Sequence, residues 1–192
     1  LVPERLAGEE GVQRGLFELL ADKWMGRDPK RGRAYTWLPR HLGDSAGRSS
    51  PRSFLEAIRV AAEQTASDAP LALSAAGIRE GVQAASQRRV TEIGEDHPWV
   101  RAAMEPLRDL LVPCGLPDVQ ERWNDDVMNA VKDASANKLP PRHLTEGPVG
   151  LSKDLAALGV FQVLDEGRIN VPDVYRVAFG LRRRGGVPPL RR

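Results

Sequence analysis

The chain has 192 residues and a mass of 21.1 kDa, enough for one large domain or two small ones with a buried core. Hydrophobic residues make up 41%, charged residues 28%, and the mean hydropathy is -0.39, which excludes a disordered or fibrous chain. The formal net charge is only +2, no apolar run approaches the ~20 residues of a membrane span, and the single cysteine, Cys114, excludes an internal disulfide framework. We therefore expect a globular protein of the reducing cytoplasm, with neither a membrane segment nor a metal site.

The first residues are not typical of a natural start. Leu1 is not an initiator methionine, and Val2-Pro3 resembles the interior of a chain. Glu4 and Arg5 follow almost at once, which argues against a secretory signal. We expect the chain to be a piece of a longer protein.

Apolar residues at helical spacing predict five helices in the first two thirds of the chain. Their expected ranges are 9–24, 51–68, 74–93, 98–111 and 118–136. Gly26 ends the first, and Ser50 is expected to cap the second by accepting backbone N–H bonds, with Pro51 at the first helical position. Residues 27–50 are predicted to form an ordered loop around Tyr35 and Trp37.

The pattern changes in the last third of the chain. Residues 112–117 are the best candidate linker because of their prolines and glycine. A short helix over 150–159, two strands over 160–164 and 168–171, and a last helix over 174–181 follow. The predicted fold is mainly α: a helical region over 1–111, then a winged helix-turn-helix-like module over 117–185 with a small β-hairpin, and a flexible basic tail over 186–192.

Motifs that carry catalysis are missing from the sequence. It contains no Gly-x-x-x-x-Gly-Lys-Ser/Thr loop, no His-Glu-x-x-His and no Gly-x-Ser-x-Gly. Cys114 has no histidine near it in sequence, and Asp125 and Asp126 are adjacent, so on a helix they point about 100° apart. We predict no catalytic residue and no self-sufficient enzyme.

Arg52 is the most informative charged residue. It falls in the first turn of the helix that begins at Pro51, where exposed N–H groups and the helix dipole favour an anion. A guanidinium there is able to pair bidentately with phosphate oxygens. The alternative is an ordinary surface arginine at a helix start.

Two stretches of the chain resemble a known class of proteins. The sequence Trp37-Leu38-Pro39, a polar loop and then Ser50-Pro51-Arg52-Ser53-Phe54-Leu55 resembles the lid of bacterial P-loop ATPases of the AAA+ and STAND kind. Residues 155–176 are similar to the end of such ATPases, and the likeness covers about 35–65 and 139–185. It implies that Arg52 is the sensor-2 arginine, which contacts the terminal phosphates of ATP, and that a winged-helix domain follows.

The resemblance implies a function for the chain. It would be the C-terminal nucleotide-sensing and regulatory region of a cytosolic bacterial P-loop ATPase, with ATP bound mainly by Walker motifs outside these residues. Its partner would be the remainder of the ATPase chain or another protein. Trp37, beside Arg40 and His41, would either pack against an adenine or pin its loop.

Two other classes of function stay open. Residues 139–192 carry nine basic and five acidic groups, so a winged-helix regulator could bind DNA through basic side chains. The candidate contacts are Lys153, Arg168, Arg182, Arg183 and Arg184. The short helix over 150–159 has only Ser152, Lys153 and Asp154 as polar residues. It lacks the Arg, Asn or Gln side chains that usually contact base edges. The third class is a helical adaptor that binds a protein partner and no nucleic acid.

Overall fold

A computed structural model describes residues 3–135, 138–184 and 187 of the chain. Over these residues the protein is mainly helical, with one two-stranded antiparallel sheet. No helix in this part of the chain is long and apolar enough to cross a membrane. The elements are α1 (Pro3–Gly8), α2 (Glu10–Leu20), α3 (Ala34–Leu42), α4 (Pro51–Glu63), α5 (Ala75–Asp96), α6 (Trp99–Met104), α7 (Leu116–Gln120), α8 (Asp125–Ala134), α9 (Gly147–Ala157), β1 (Gln162–Val163), β2 (Ile169–Asn170) and α10 (Asp173–Phe179).

The predicted loop over 27–50 contains a helix, so that prediction is wrong. α3 buries Ala34, Leu38 and Leu42, which are spaced by four residues and lie on one face. Pro39 lies inside this helix, and glycines and arginines flank it. Because of these flanking residues, the helical spacing of the three apolar residues was not recognised in the sequence. Their burial stabilises the helix and offsets the destabilising effect of a proline in its interior.

Two of the predicted helices are divided in the structure. The helix expected over 98–111 ends at Met104 and continues only as a single 3-10 turn that contains Pro106. The helix expected over 118–136 is split into α7 and α8, because Asn124 caps a new helix by accepting a bond from the N–H of Val127 at 3.0 Å. The turn between them buries Trp123, whose indole donates to the carbonyl O of Ala103 at 2.7 Å.

The predicted β-hairpin is confirmed as a short sheet. Gln162 pairs with Asn170, and Val163 with Ile169, in antiparallel register. The backbone of Ile169 also exchanges hydrogen bonds with Cys114, at 2.8 and 3.0 Å. The hairpin is thereby tied to the segment that precedes α7. The predicted basic tail over 186–192 lies outside the described residues apart from Val187, which is buried.

Two hydrophobic cores share α5. The first is built from α3, α4 and the first part of α5, and the second from the end of α5, α6 to α10 and the hairpin. The second core extends across residues 112–117, the predicted linker, since Val112 is buried within it. Ser86, near the middle of α5, joins the helix to α10: its hydroxyl donates to the carbonyl O of Val174 at 2.8 Å and accepts from the N–H of Ala178 at 3.0 Å.

Candidate functional site

Arg52 lies in the first turn of α4, as predicted, with an exposed side chain. Within the described part of the chain, its guanidinium forms no ion pair or hydrogen bond. The prediction that the Ser50 side chain caps this helix is wrong. Ser50 has the extended backbone of an N-cap residue, but its hydroxyl accepts no hydrogen bond from the helix. The N–H groups of this first turn are therefore not satisfied by the Ser50 side chain.

The position of α4 is fixed by close packing against α5. Gly77 and Gly81 of α5 are buried, and a Cβ atom at either position would overlap a carbonyl oxygen of α4, from Ala61 and Ala57 respectively. The two helices run antiparallel, because the later glycine faces the earlier alanine. By this register the start of α4 faces the second half of α5, near Ser86, and Arg52 lines a cleft together with the last turns of that helix.

This cleft, of about 380 Å³, lies beside Arg52 and the last turns of α5. Its lining combines carboxylates, cations and two apolar residues: Arg52, Arg89, Glu92, Ile93, Glu95, Asp96, His97 and Leu158. Glu92 is paired with Arg88 at 3.4 Å and with Arg89 at 3.7 Å. Glu95 and Asp96 are exposed and unpaired among the described residues.

The charges of this cleft favour a cation over an anion. Three carboxylates line it against two guanidiniums, and the carboxyl end of α5 adds the negative end of a helix dipole. The Nδ1 atom of His97 is buried there without a hydrogen-bond partner among the described residues. Sequence reasoning placed Arg52 at a helix start but missed these acidic neighbours, which only the packing of α4 on α5 brings near it.

The five basic residues predicted to contact DNA differ in availability. Lys153 forms an ion pair with Glu146 at 2.6 Å, and Arg183 donates to Asp173 at 3.0 Å and to Asn170 at 2.6 Å. The other three are exposed and unpaired within the described residues: Arg168, Arg182 and Arg184. The structure thus uses Arg183 to hold the fold together.

The helix that would enter a DNA groove, α9, is largely occupied by internal contacts. Ser152 and Asp154 are both buried, and the Ser152 hydroxyl donates to the carbonyl O of Pro148 at 2.9 Å. Asp154 accepts from the backbone N–H of His143 at 2.9 Å and lies 2.7 Å from its Nδ1 atom. Two of the three polar side chains on this helix are therefore unavailable to bases.

A buried ionic cluster joins α3, β2 and α10, and sequence reasoning missed it. One carboxylate oxygen of Asp173 accepts from Arg176 Nε at 2.6 Å and from Arg183 at 3.0 Å. Arg176 is 1% exposed and also donates to the carbonyl O of Leu181 at 3.1 Å. The only sequence signal was the three-residue spacing of Asp173 and Arg176 on a helix. The cluster is fully paired, which indicates a structural role.

His41 borders this cluster from α3. Its Nδ1 donates to the carbonyl O of Trp37 at 2.7 Å, and its Nε2 lies 3.5 Å from the second oxygen of Asp173. Burial lowers the pKa of His41, and the charges of Arg176 and Arg183 act in the same direction. The hydrogen bond to Trp37 and the charge of Asp173 act the other way, but burial outweighs them.

Comparisons with known proteins do not assign the chain to a family. A scan of protein families, a search of curated proteins and a search of solved structures each found no match. No group of three or more potential metal ligands occurs among the described residues.

Proposed function

We propose that the chain is the C-terminal lid and regulatory region of a cytoplasmic P-loop ATPase, with Arg52 as the sensor of the terminal phosphates of ATP. The observation that supports this most is the exposed guanidinium in the first turn of a helix whose position is fixed by packing, a guanidinium that no other described residue engages. The sequence resemblance of residues 35–65 to ATPase lids supports it independently.

In this proposal the nucleotide is held outside residues 1–192. Glu92, Glu95 and Asp96 make the cleft beside Arg52 unsuited to hold a phosphate by itself. A P-loop on another surface must therefore present the phosphates, and Arg52 adds a charge-assisted contact from the lid. The contact would shift the position of α4, and α5 and the Ser86 hydrogen bonds would transmit this shift to α10. The result would be a change in the relative populations of two conformations of the region.

The test uses the full-length ATPase that carries these residues. A fluorescent ATP analogue is titrated into wild type, Arg52→Ala and the control Arg59→Ala, whose exposed arginine lies on the same helix and is paired with Glu56 and Glu63. We expect Arg52→Ala to weaken nucleotide affinity or turnover by about tenfold, while the control stays unchanged. Unaltered affinity and turnover in Arg52→Ala would remove the sensor role.

For the winged-helix-like module we propose packing against the ATPase or a partner protein, in preference to DNA contact. The polar side chains of α9 are engaged internally, and Lys153 and Arg183 are paired. An electrophoretic shift assay at low salt checks this: we expect no salt-sensitive complex. A complex that weakens with salt and is lost in Arg182→Ala/Arg184→Ala would favour DNA binding.

A further inference from the structure

A second cleft, of about 210 Å³, has the opposite charge. It lies where the segment between α2 and α3 meets the start of α5, and its lining residues are Met25, Lys30, Arg31, Trp37 and Arg79. Three of these five residues are cations and none is acidic. Trp37 is the aromatic residue that lines the cleft. Its ring stacks on His41 at a centroid distance of 3.8 Å.

The cations of this cleft are available to a ligand. Lys30 and Arg31 are exposed, and their side chains form no ion pair or hydrogen bond within the described residues. Arg79 donates one bond to the carbonyl O of Met25 at 3.1 Å and is paired with no carboxylate in that part of the chain. Like charges around one small space repel each other, and a bound anion relieves that repulsion. The Asp28 carboxylate next to this turn accepts from the backbone N–H of Lys30.

The local fold holds the backbone that carries Lys30 and Arg31. Asp28 caps the 3-10 turn Pro29–Arg31 by accepting from the N–H of Lys30 at 2.8 Å. The N–H of Met25 donates to the carbonyl O of Gly32 at 2.9 Å, which closes the loop that carries the turn. The backbone of the cleft is therefore preformed, and the ordering cost of binding falls on the exposed side chains.

This cleft is separate from the one beside Arg52. Arg79 and Glu92 lie about 20 Å apart along α5, at 1.5 Å of rise per residue.

We propose that the cleft of Lys30, Arg31, Trp37 and Arg79 binds a compact polyphosphate group, either that of a nucleoside triphosphate or inorganic polyphosphate. Guanidinium and ammonium groups around one small space are the donors that phosphate oxygens prefer. A volume of about 210 Å³ is below the range of pockets that enclose a whole drug-sized ligand, so the cleft fits the phosphates and leaves a base at its mouth, beside Trp37. The site does not depend on the ATPase proposal.

The experiment is isothermal titration of the 192-residue chain with sodium triphosphate and, separately, with ATP. The variant Lys30→Ala/Arg31→Ala removes two cleft cations, and Arg122→Ala/Arg142→Ala is the matched control because both arginines are exposed and unpaired among the described residues. We expect the cleft variant to weaken triphosphate binding at least about tenfold, with the control unchanged. Since Lys30 and Arg31 are exposed, as are the two control arginines, circular dichroism should show the same fold in both variants.

The outcomes separate the sources of the phosphate. ATP binding about tenfold tighter than triphosphate assigns the cleft to a nucleotide, and equal affinity assigns it to inorganic polyphosphate. A change in tryptophan emission that disappears in Trp37→Phe locates the ligand in this cleft. Absence of binding, or an equal loss in the control variant, overturns the proposal. Tighter binding of a single-stranded oligonucleotide, with the same dependence on Lys30 and Arg31, also overturns it in favour of a nucleic-acid backbone.

Discussion

Replacing Gly81 by alanine tests the packing of α4 on α5. The added Cβ would overlap the carbonyl oxygen of Ala57 and lie 3.0 Å from its carbonyl carbon and 3.2 Å from its Cα. These are backbone atoms of α4, which move only if the whole helix shifts. Gly94 on the same helix is the matched control, because nothing lies within 4 Å of a Cβ built there.

The two substitutions should change stability in opposite directions. Overpacking against backbone costs roughly 3 kcal/mol, and the better helix propensity of alanine offsets about 1 kcal/mol, so Gly81→Ala loses about 2 kcal/mol of unfolding free energy. Gly94→Ala meets no obstacle, but because Gly94 lies in the last turn of α5, where helix propensity counts for less, the gain should be only about 0.5 kcal/mol. With a denaturant slope of roughly 2 kcal/mol/M, the urea midpoint falls by about 1 M in the first variant and rises by about 0.25 M in the second.

Urea unfolding followed by far-UV circular dichroism measures both midpoints. Tryptophan emission provides a second probe, since Trp37 packs against the first core and Trp99 lies in the second. A Gly81→Ala variant as stable as Gly94→Ala would refute the close approach of α4 to α5, and with it the placement of Arg52 beside the second half of α5.

Three further predictions concern the buried polar groups. Arg176→Ala should cost about 3–5 kcal/mol in urea unfolding, because it removes a partner from the buried carboxylate of Asp173; a loss below about 1 kcal/mol would contradict this. Since the pKa of His41 is lowered in the fold, the unfolded chain takes up the proton first, and stability falls as pH drops below about 6.5. His41→Gln should flatten that decline in urea midpoints between pH 7 and pH 5, and an unchanged slope would exclude the effect. Burial raises the pKa of Cys114, so Ellman's reagent at pH 8 should react more slowly with the folded chain than with the urea-unfolded chain, and equal rates would count against a shielded thiol.

The sequence predicted the elements that carry their own local signals. Pro51 begins α4 as predicted, and α5 begins at Ala75, next to the predicted start at Ser74. The cap that Ser74 forms on the N–H of Gly77 at 3.0 Å was not predicted. The division of the helix predicted over 118–136 was missed even though Asn124 is a good cap, because the apolar spacing of Val119, Trp123 and Val127 continues across the break. α3 was missed because its stability comes from burial of one narrow stripe, which depends on partners distant in sequence.

The sequence did not predict which charged residues come together in the two clefts. Arg52 was recognised from its place at a helix start, yet the acidic cleft beside it depends on residues 92–97, which only the antiparallel packing of two helices brings near. The cationic cleft joins Lys30 and Arg31 to Arg79 in the same way. Local spacing predicts which side chains share a helix face, but it does not predict which helix ends meet.

The sharing of α5 between the two cores has a mechanical consequence. At 1.5 Å per residue, this helix of 22 residues is about 33 Å long, and Ser86 ties it to α10 near its midpoint. A rigid tilt of about 10° about that point would move its two ends by about 3 Å in opposite directions. One end borders the cationic cleft and the other the acidic cleft beside Arg52, so α5 is the structural connection between the two clefts.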